Sequence, residues 1–184
     1  DYFEPQIDEY NQLLTTNKIF IERTADVGVM PQEVAINYGV TGPSLRGSGI
    51  ALDLRKTEPY SVYDKFDFNV PVGEGLMGTV GDCWDRYYVR VLELTESVKI
   101  LRQALDSIPA GDVSEAIPKK IRPNKGEVYS RYESARGDVG FYIQSNGKNI
   151  PTRVKMRSPA YCNLSVLNEI SSGWMISDII TILG

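Results

Sequence analysis

Histidines, paired cysteines and clustered carboxylates are the side chains that most readily do chemistry near neutral pH. This sequence holds few of them in useful patterns. It has no histidine, and its two cysteines, Cys83 and Cys162, stand far apart. Within these 184 residues that excludes a Ser-His-Asp or Cys-His nucleophile, a His-ligated zinc site and any CxxC pair. Carboxylates, Lys, Tyr and Arg remain. Asp64, Asp67, Asp82 and Asp85 cluster, but Asp64-Lys65-Phe66-Asp67 lacks the spacing of a calcium loop. Helix capping and solvation account for these four. Cys83 falls in a first helical turn beside two aspartates, which favours an inert thiol.

Gly73-Glu74-Gly75-Leu76-Met77-Gly78 matches GxGxxG. A dinucleotide site would need the third glycine to open a helix, and an acidic residue about 20 positions later at a strand end. Here the helix signal begins only at Asp82, and Glu93 and Glu96 fall inside it. The motif therefore reads as a flexible surface loop, without a cofactor. A different stretch resists so bland an account: Thr41-Gly42-Pro43-Ser44-Leu45-Arg46-Gly47-Ser48-Gly49, followed by Asp53-Leu54-Arg55-Lys56. Its glycines let backbones approach closely, and its two arginines can make bidentate contacts. Taken alone it is a buried polar junction.

The elements around that junction can be read from periodicity. Phe3, Ile7, Tyr10 and Leu14 share a helical face, a short helix covers Lys18–Asp26, and a third starts at Pro31 and stops at Gly39. Phe66–Val70 alternates like an edge strand. Trp84, Tyr87, Val91, Leu94, Val98, Leu101, Leu105 and Ile108 form an unbroken stripe at steps of three and four. That predicts one helix over about 82–108, capped by Asp82 with Asp85 completing a capping box and packed in a bundle. Residues 112–125 read as a linker loop. Strands follow at Glu127–Glu133, Val139–Gln144 and Arg153–Arg157, an antiparallel meander with one apolar and one cationic face. Residues 161–183 read as one or two apolar helices broken near Ser171–Gly173. The organisation expected is thus a mainly helical region 1–111, a linker 112–125, and a meander with C-terminal helices over 126–184.

Charge is uneven: residues 1–111 carry 10 basic and 17 acidic side chains, and residues 112–157 carry 10 and 5. A basic sheet face, solvated or meeting an acidic partner, is the consequence. An acidic chain without a binding motif argues against nucleic acid. No stretch reaches the roughly 20 apolar residues of a membrane span, and two lone cysteines point to a reducing compartment. The start at Asp1 rather than Met suggests a piece of a longer protein.

Residues 39–56, GVTGPSLRGSGIALDLRK, closely resemble the signature of the D-type, hydrogenase-related large subunit of respiratory complex I. Other runs agree in order along the chain: Tyr63-Asp64 with Phe66, then Gly81-Asp82-Cys83-Trp84-Asp85-Arg86-Tyr87 with Arg90, Glu96-Ser97 and Gln103-Ala104-Leu105. Gly126-Glu127-Val128-Tyr129, Arg136-Gly137, Arg153-Val154-Lys155, Asn163-Leu164, and Asp178 with Ile182-Leu183-Gly184 follow. The resemblance implies the C-terminal half of that subunit, with an α+β, [NiFe]-hydrogenase large-subunit-like fold of long bundle helices and a small β meander. It implies a structural role in the quinone-reducing module of a proton-pumping NADH:quinone oxidoreductase, peripheral to the cytoplasmic side of the inner membrane. No catalytic, cofactor or metal ligand is expected in this chain. Quinone, iron–sulfur clusters, FMN and NADH would be handled through other subunits. The partner implied is the B-type iron–sulfur subunit, with the quinone chamber shared between the two. The residues expected to form an interface or a structural junction are Thr41, Gly42, Pro43, Arg46, Ser48, Gly49, Asp53, Arg55 and Lys56, and those expected to matter on the bundle helix are Trp84, Arg86, Tyr87, Arg90 and Glu96. A membrane-bound [NiFe] hydrogenase large subunit and a non-redox interaction module are the alternatives.

Overall fold

A computed structural model describes residues 2–114 and 116–183. Asp1, Glu115 and Gly184 lie outside the described residues, and with them one linker position and the last residue of the Ile182-Leu183-Gly184 run. Helix α1 (Phe3–Tyr10) continues as a π-helical turn through Asn11–Thr15, and α2 (Lys18–Thr24) is capped by the Asn17 side chain. Helix α3 (Gln32–Asn37) uses Pro31 as its N-cap. Two short helices, α4 (Pro43–Gly47) and α5 (Leu54–Thr57), sit inside the glycine-rich junction, where sequence reasoning saw only loop. Their brevity explains the miss, since four or five residues carry no readable period.

Helix α6 (Cys83–Ser107) is continuous over 25 residues, about 37 Å at 1.5 Å per residue. The backbone N–H of Asp85 donates to the Asp82 carboxylate at 2.8 Å, which caps it. The reciprocal half of the expected capping box is absent, because the Asp85 carboxylate is engaged elsewhere. The first half of α6 is well covered, with Trp84, Val89 and Val91 buried. The second half of its stripe is not: Leu101, Leu105 and Ile108 are 60%, 70% and 72% exposed. Helix α1 lies along part of that half, with Ile7 buried beside it and Glu4 paired with Arg102, but the described residues leave Leu101, Leu105 and Ile108 uncovered. Phe66–Val70 is not a strand; its backbone is tied to α6 instead, through Gln103 to Asp67 and Glu96 to Asn69.

Strands β1 (Gly126–Ser134), β2 (Gly137–Ser145) and β3 (Arg153–Arg157) form an antiparallel sheet in the order β1-β2-β3. Tyr129 stands opposite Tyr142, and Tyr142 opposite Lys155. One face therefore carries Glu127, Tyr129, Arg131, Glu133, Asp138, Arg153, Lys155 and Arg157, a mixture of signs rather than the cationic face expected. This face turns inward at its junction end, where Arg131 and Arg157 both pair with Asp138. The other face holds Val128, Ile143, Val154 and Met156, all exposed. The sheet thus covers charge only at its junction end, leaves Glu127, Arg153 and Lys155 exposed, and also shows apolar surface to solvent. Helices α7 (Pro159–Ser165), α8 (Leu167–Ser171) and α9 (Ile179–Leu183) close the chain. Val166, Ile170 and Ile182 fold back onto Val27, Met30, Ala35, Val40, Leu45 and Cys83 to make the core.

Candidate functional site: a buried ion network at the junction

Gly42 opens α4 at φ +72°, a backbone region that disfavours side chains, and it crosses the β1–β2 turn at contact distance. A Cβ there would stand 2.5 Å from the Gly137 Cα. That close crossing is the approach the glycine-rich sequence implied. Thr41 helps hold it, its hydroxyl accepting from the Asp138 backbone N–H at 3.1 Å. Asn163, which sequence reading left without a role, accepts from the Thr41 N–H at 3.1 Å and donates to the carbonyls of Thr41 and Arg136. Ser48 donates to the Met30 carbonyl at 2.7 Å.

Pro43 starts α4 and aims Arg46 into the centre. Arg46 is 1% exposed. Its Nε donates to Glu93 at 2.6 Å, and its Nη1 donates to Glu133 at 2.9 Å and to the Leu52 carbonyl at 2.9 Å. One guanidinium thus ties the junction to α6 and β1. Beside it Asp53 caps α5 and takes a two-pronged contact from Arg55, with Nη2 to Oδ2 at 2.5 Å. Arg55 and Lys56 also lie over the Phe68 ring, at 5.1 and 4.2 Å from its centroid. The residues of the stretch from Thr41 to Leu54 are mostly buried within the chain. Ala51, Leu52 and Lys56 form its exposed rim.

On α6, Trp84 is buried and stacks on Tyr88 at 4.6 Å, while Tyr87 bonds Thr15 and meets the ring of Phe20 at 4.7 Å. Arg86 is fully internal; it donates to the carbonyls of Gly28 and Gly81 and to the Cys83 sulfur, and burial lowers its pKa. Burial likewise raises the Cys83 thiol, as an inert cysteine requires. Arg90 reaches the Arg86 carbonyl and the Ser44 hydroxyl, and Glu96 accepts from Asn69 and Lys99. Glu93 and Glu133 are the members that sequence reasoning missed. A faint signal existed for the first: Arg86, Arg90 and Glu93 recur at four and three, a polar line beside the apolar stripe. None existed for Glu133, whose partner is 87 positions away.

The aspartates and the glycine loop also differ from expectation. Asp82 and Asp85 are buried rather than solvated. The Asp85 carboxylate accepts from the Gly75 N–H at 2.9 Å and from the Gly81 N–H. The loop is therefore fastened to α6 and not loose, and an amide a phosphate would need already faces a carboxylate. Among the described residues no cluster of three or more His, Cys, Asp or Glu is placed to hold a metal ion.

The family model for the 49 kDa subunit of respiratory-chain NADH dehydrogenase matches residues 1–125 and 115–184. The chain belongs to that family. Over its full length it is 51% identical to the NADH-quinone oxidoreductase D subunit of Chlorobaculum tepidum and 50% identical to that of Chlorobium phaeovibrioides, covering 47% of each. It is 49% identical to the first of the numbered D subunits of Cytophaga hutchinsonii, covering 49% of it. The chain spans about half the length of the curated relatives it matches. Its α+β architecture is that of the hydrogenase-large-subunit-like 49 kDa family.

The ion network gives this family member a testable pH response. Burial pushes the Glu133 carboxyl up, and Arg46 offsets only part of that, so its pKa is raised. Burial opposes ionisation of Asp53 too, but the Arg55 hydrogen bonds and charge prevail and its pKa is lowered. The signs oppose one another. A raised carboxyl contributes stability below its unfolded value, about 4.3, that is lost as pH rises through the folded value. A lowered one contributes stability above its unfolded value, about 3.9, that is lost as pH falls through the folded value. Urea unfolding of Glu133→Gln and the unaltered chain should diverge as pH rises from about 4, the unaltered chain losing ground. Both should weaken as acid protonates Asp53. Parallel profiles above pH 4 would overturn the Glu133 assignment.

Proposed function

We propose that this chain is a structural part of the quinone-reducing module of a proton-pumping NADH:quinone oxidoreductase, framing the quinone chamber and docking the B-type iron–sulfur subunit. The observation that carries this reading is the similarity, along the whole of this chain, to about half of each D-subunit relative. The architecture supports it in two ways. The Arg46 network locks the junction, α6 and β1 into one rigid wall, which suits a chamber whose reactive groups belong to other polypeptides. The exposed apolar face of the sheet and the uncovered half of the α6 stripe are surfaces that neighbouring subunits would cover.

In this reading the residues Thr41, Gly42, Pro43, Arg46, Ser48, Gly49, Asp53 and Arg55 fix the geometry of the junction. Lys56, with Ala51 and Leu52, offers the rim to a partner. The chain itself binds no cofactor; quinone sits at the shared chamber, and iron–sulfur clusters, FMN and NADH are held by other subunits. The protein is peripheral, on the cytoplasmic side of the inner membrane. No helix among the described residues is long and apolar enough to cross a membrane.

Purification of the tagged full-length protein from membranes tests this. It should bring down an iron–sulfur polypeptide with a reducible [4Fe–4S] signal and NADH:quinone reductase activity, and residues 1–184 alone should show none of that turnover. A full-length protein recovered without an iron–sulfur partner, or quinone reduction by the 184-residue chain, would overturn it.

A further inference from the structure

We propose that the pocket between α4, the β1–β2 turn and α7 binds a carboxylate, held by Arg90 and Arg136. This is independent of the quinone-module reading. The pocket has a volume of about 350 Å³; Arg90, Arg136, Ser44 and Asn163 line it together with Ala160, Leu164 and, from α9, Leu183. It shares Ser44, Arg90 and Asn163 with a smaller inner recess of about 60 Å³, where Arg86 is reached.

Counter-ions are what this pocket lacks. Arg23, Arg46, Arg55, Arg131 and Arg157 each pair with a carboxylate. Among the described residues neither Arg90 nor Arg136 does. Arg90 spends its hydrogen bonds on the Arg86 carbonyl at 2.5 Å and the Ser44 hydroxyl at 3.4 Å. Glu93 faces it from the far side, but one Glu93 oxygen is bound to Arg46 at 2.6 Å. Burial, then repulsion from Arg86, with Arg136 and Arg46 adding to it, depress the Arg90 pKa despite Glu93. A partly buried guanidinium among three others is stabilised by an anion brought between them.

The walls select the class of anion. The Asn163 carboxamide is occupied by Thr41 and the Arg136 carbonyl, so it pins the pocket rather than turning an acceptor toward a ligand. Ala160, Leu164 and Leu183 make the remaining wall apolar. A carboxylate on a short carbon stem satisfies the arginine fork and that wall together. A doubly charged phosphate would desolvate against it at a larger cost.

Butyrate is the probe, titrated into the 184-residue chain at constant ionic strength against chloride and phosphate, with melting temperature and calorimetry as readouts. Butyrate should raise the melting temperature saturably and more than either comparison ion. Arg136→Gln, at an exposed side chain that makes no hydrogen bond among the described residues, should weaken the affinity about tenfold without changing the fold. Lys148→Gln, a remote exposed cation, should leave it unchanged. No saturable response beyond chloride, equal binding by Arg136→Gln, or tighter binding of phosphate would each overturn the proposal. Once butyrate binds the chain, the full-length protein identifies the source. Retained binding there assigns the site to a free carboxylate, and abolished binding assigns it to an acidic group of the polypeptide already seated in it.

Discussion

Arg46→Met is expected to destabilise the chain by about 3–5 kcal/mol, because it removes one partner of a buried ion network and leaves the others uncompensated. Glu93, Glu133 and the Leu52 carbonyl would each lose the Arg46 donor, and Glu133, whose side chain is nearly as deeply buried as that of Arg46, would be left with its charge least compensated by water. The methionine fills much of the same volume, so the loss reports charge and hydrogen bonding more than a cavity. Denaturant unfolding of the single variants and of Arg46→Met with Glu133→Gln makes the cycle. If the network is real, Arg46→Met costs clearly less when Glu133 is already neutral. Additive losses, or a loss under about 1 kcal/mol for Arg46→Met, would show that Arg46 does not hold these carboxylates.

Gly73→Ala should be comparably severe, about 3 kcal/mol or more, as overpacking against backbone is. A Cβ at Gly73 would stand 2.0 Å from the Gly47 carbonyl oxygen and 2.7 Å from the Asp85 carboxylate. The same residue donates its N–H to the Arg46 carbonyl at 2.8 Å, so it cannot move aside without breaking the α4 terminus. The first obstacle is backbone, and the second is a side-chain carboxylate held in place by the Gly75 and Gly81 amides. Glu74→Ala, one residue along and exposed, should stay within about 0.5 kcal/mol of the unaltered chain. Melting temperatures of the two variants test the contrast. A Gly73→Ala chain that melts with the unaltered one would mean the loop is loose after all.

These two expected losses bear on the proposed role. Arg46 and Gly73 meet at the same corner, where α4, α6, the glycine loop and β1 converge. A wall against which other polypeptides close a chamber must hold its shape before they arrive, and this corner supplies that rigidity from within the chain. Its interior charges pair with one another, so in the proposed role the surfaces left for partners are the exposed rim at Ala51, Leu52 and Lys56, the apolar sheet face and the uncovered end of α6.

The sequence by itself determined the elements whose signals are local and long. The stripe from Trp84 to Ile108 specified a single helix, Asp82 its cap, and the alternation around Arg136-Gly137 and Asn146-Gly147 the three antiparallel strands, because periodicity and turn chemistry act between near neighbours. The run from Gly39 to Lys56 pointed to the family, and its glycines to a close backbone crossing. The tertiary structure alone decided which faces those elements bury. Leu101 and Leu105 are apolar by pattern yet exposed, since periodicity says which residues share a face and nothing about what covers it. Glu133 meets Arg46 only because the sheet turns the junction end of its charged face inward, and Asp85 leaves the expected capping box because it accepts from the Gly75 and Gly81 amides instead. Such pairings arise between residues far apart in the chain, where desolvation forces every buried charge to find whichever partner the packing brings within reach.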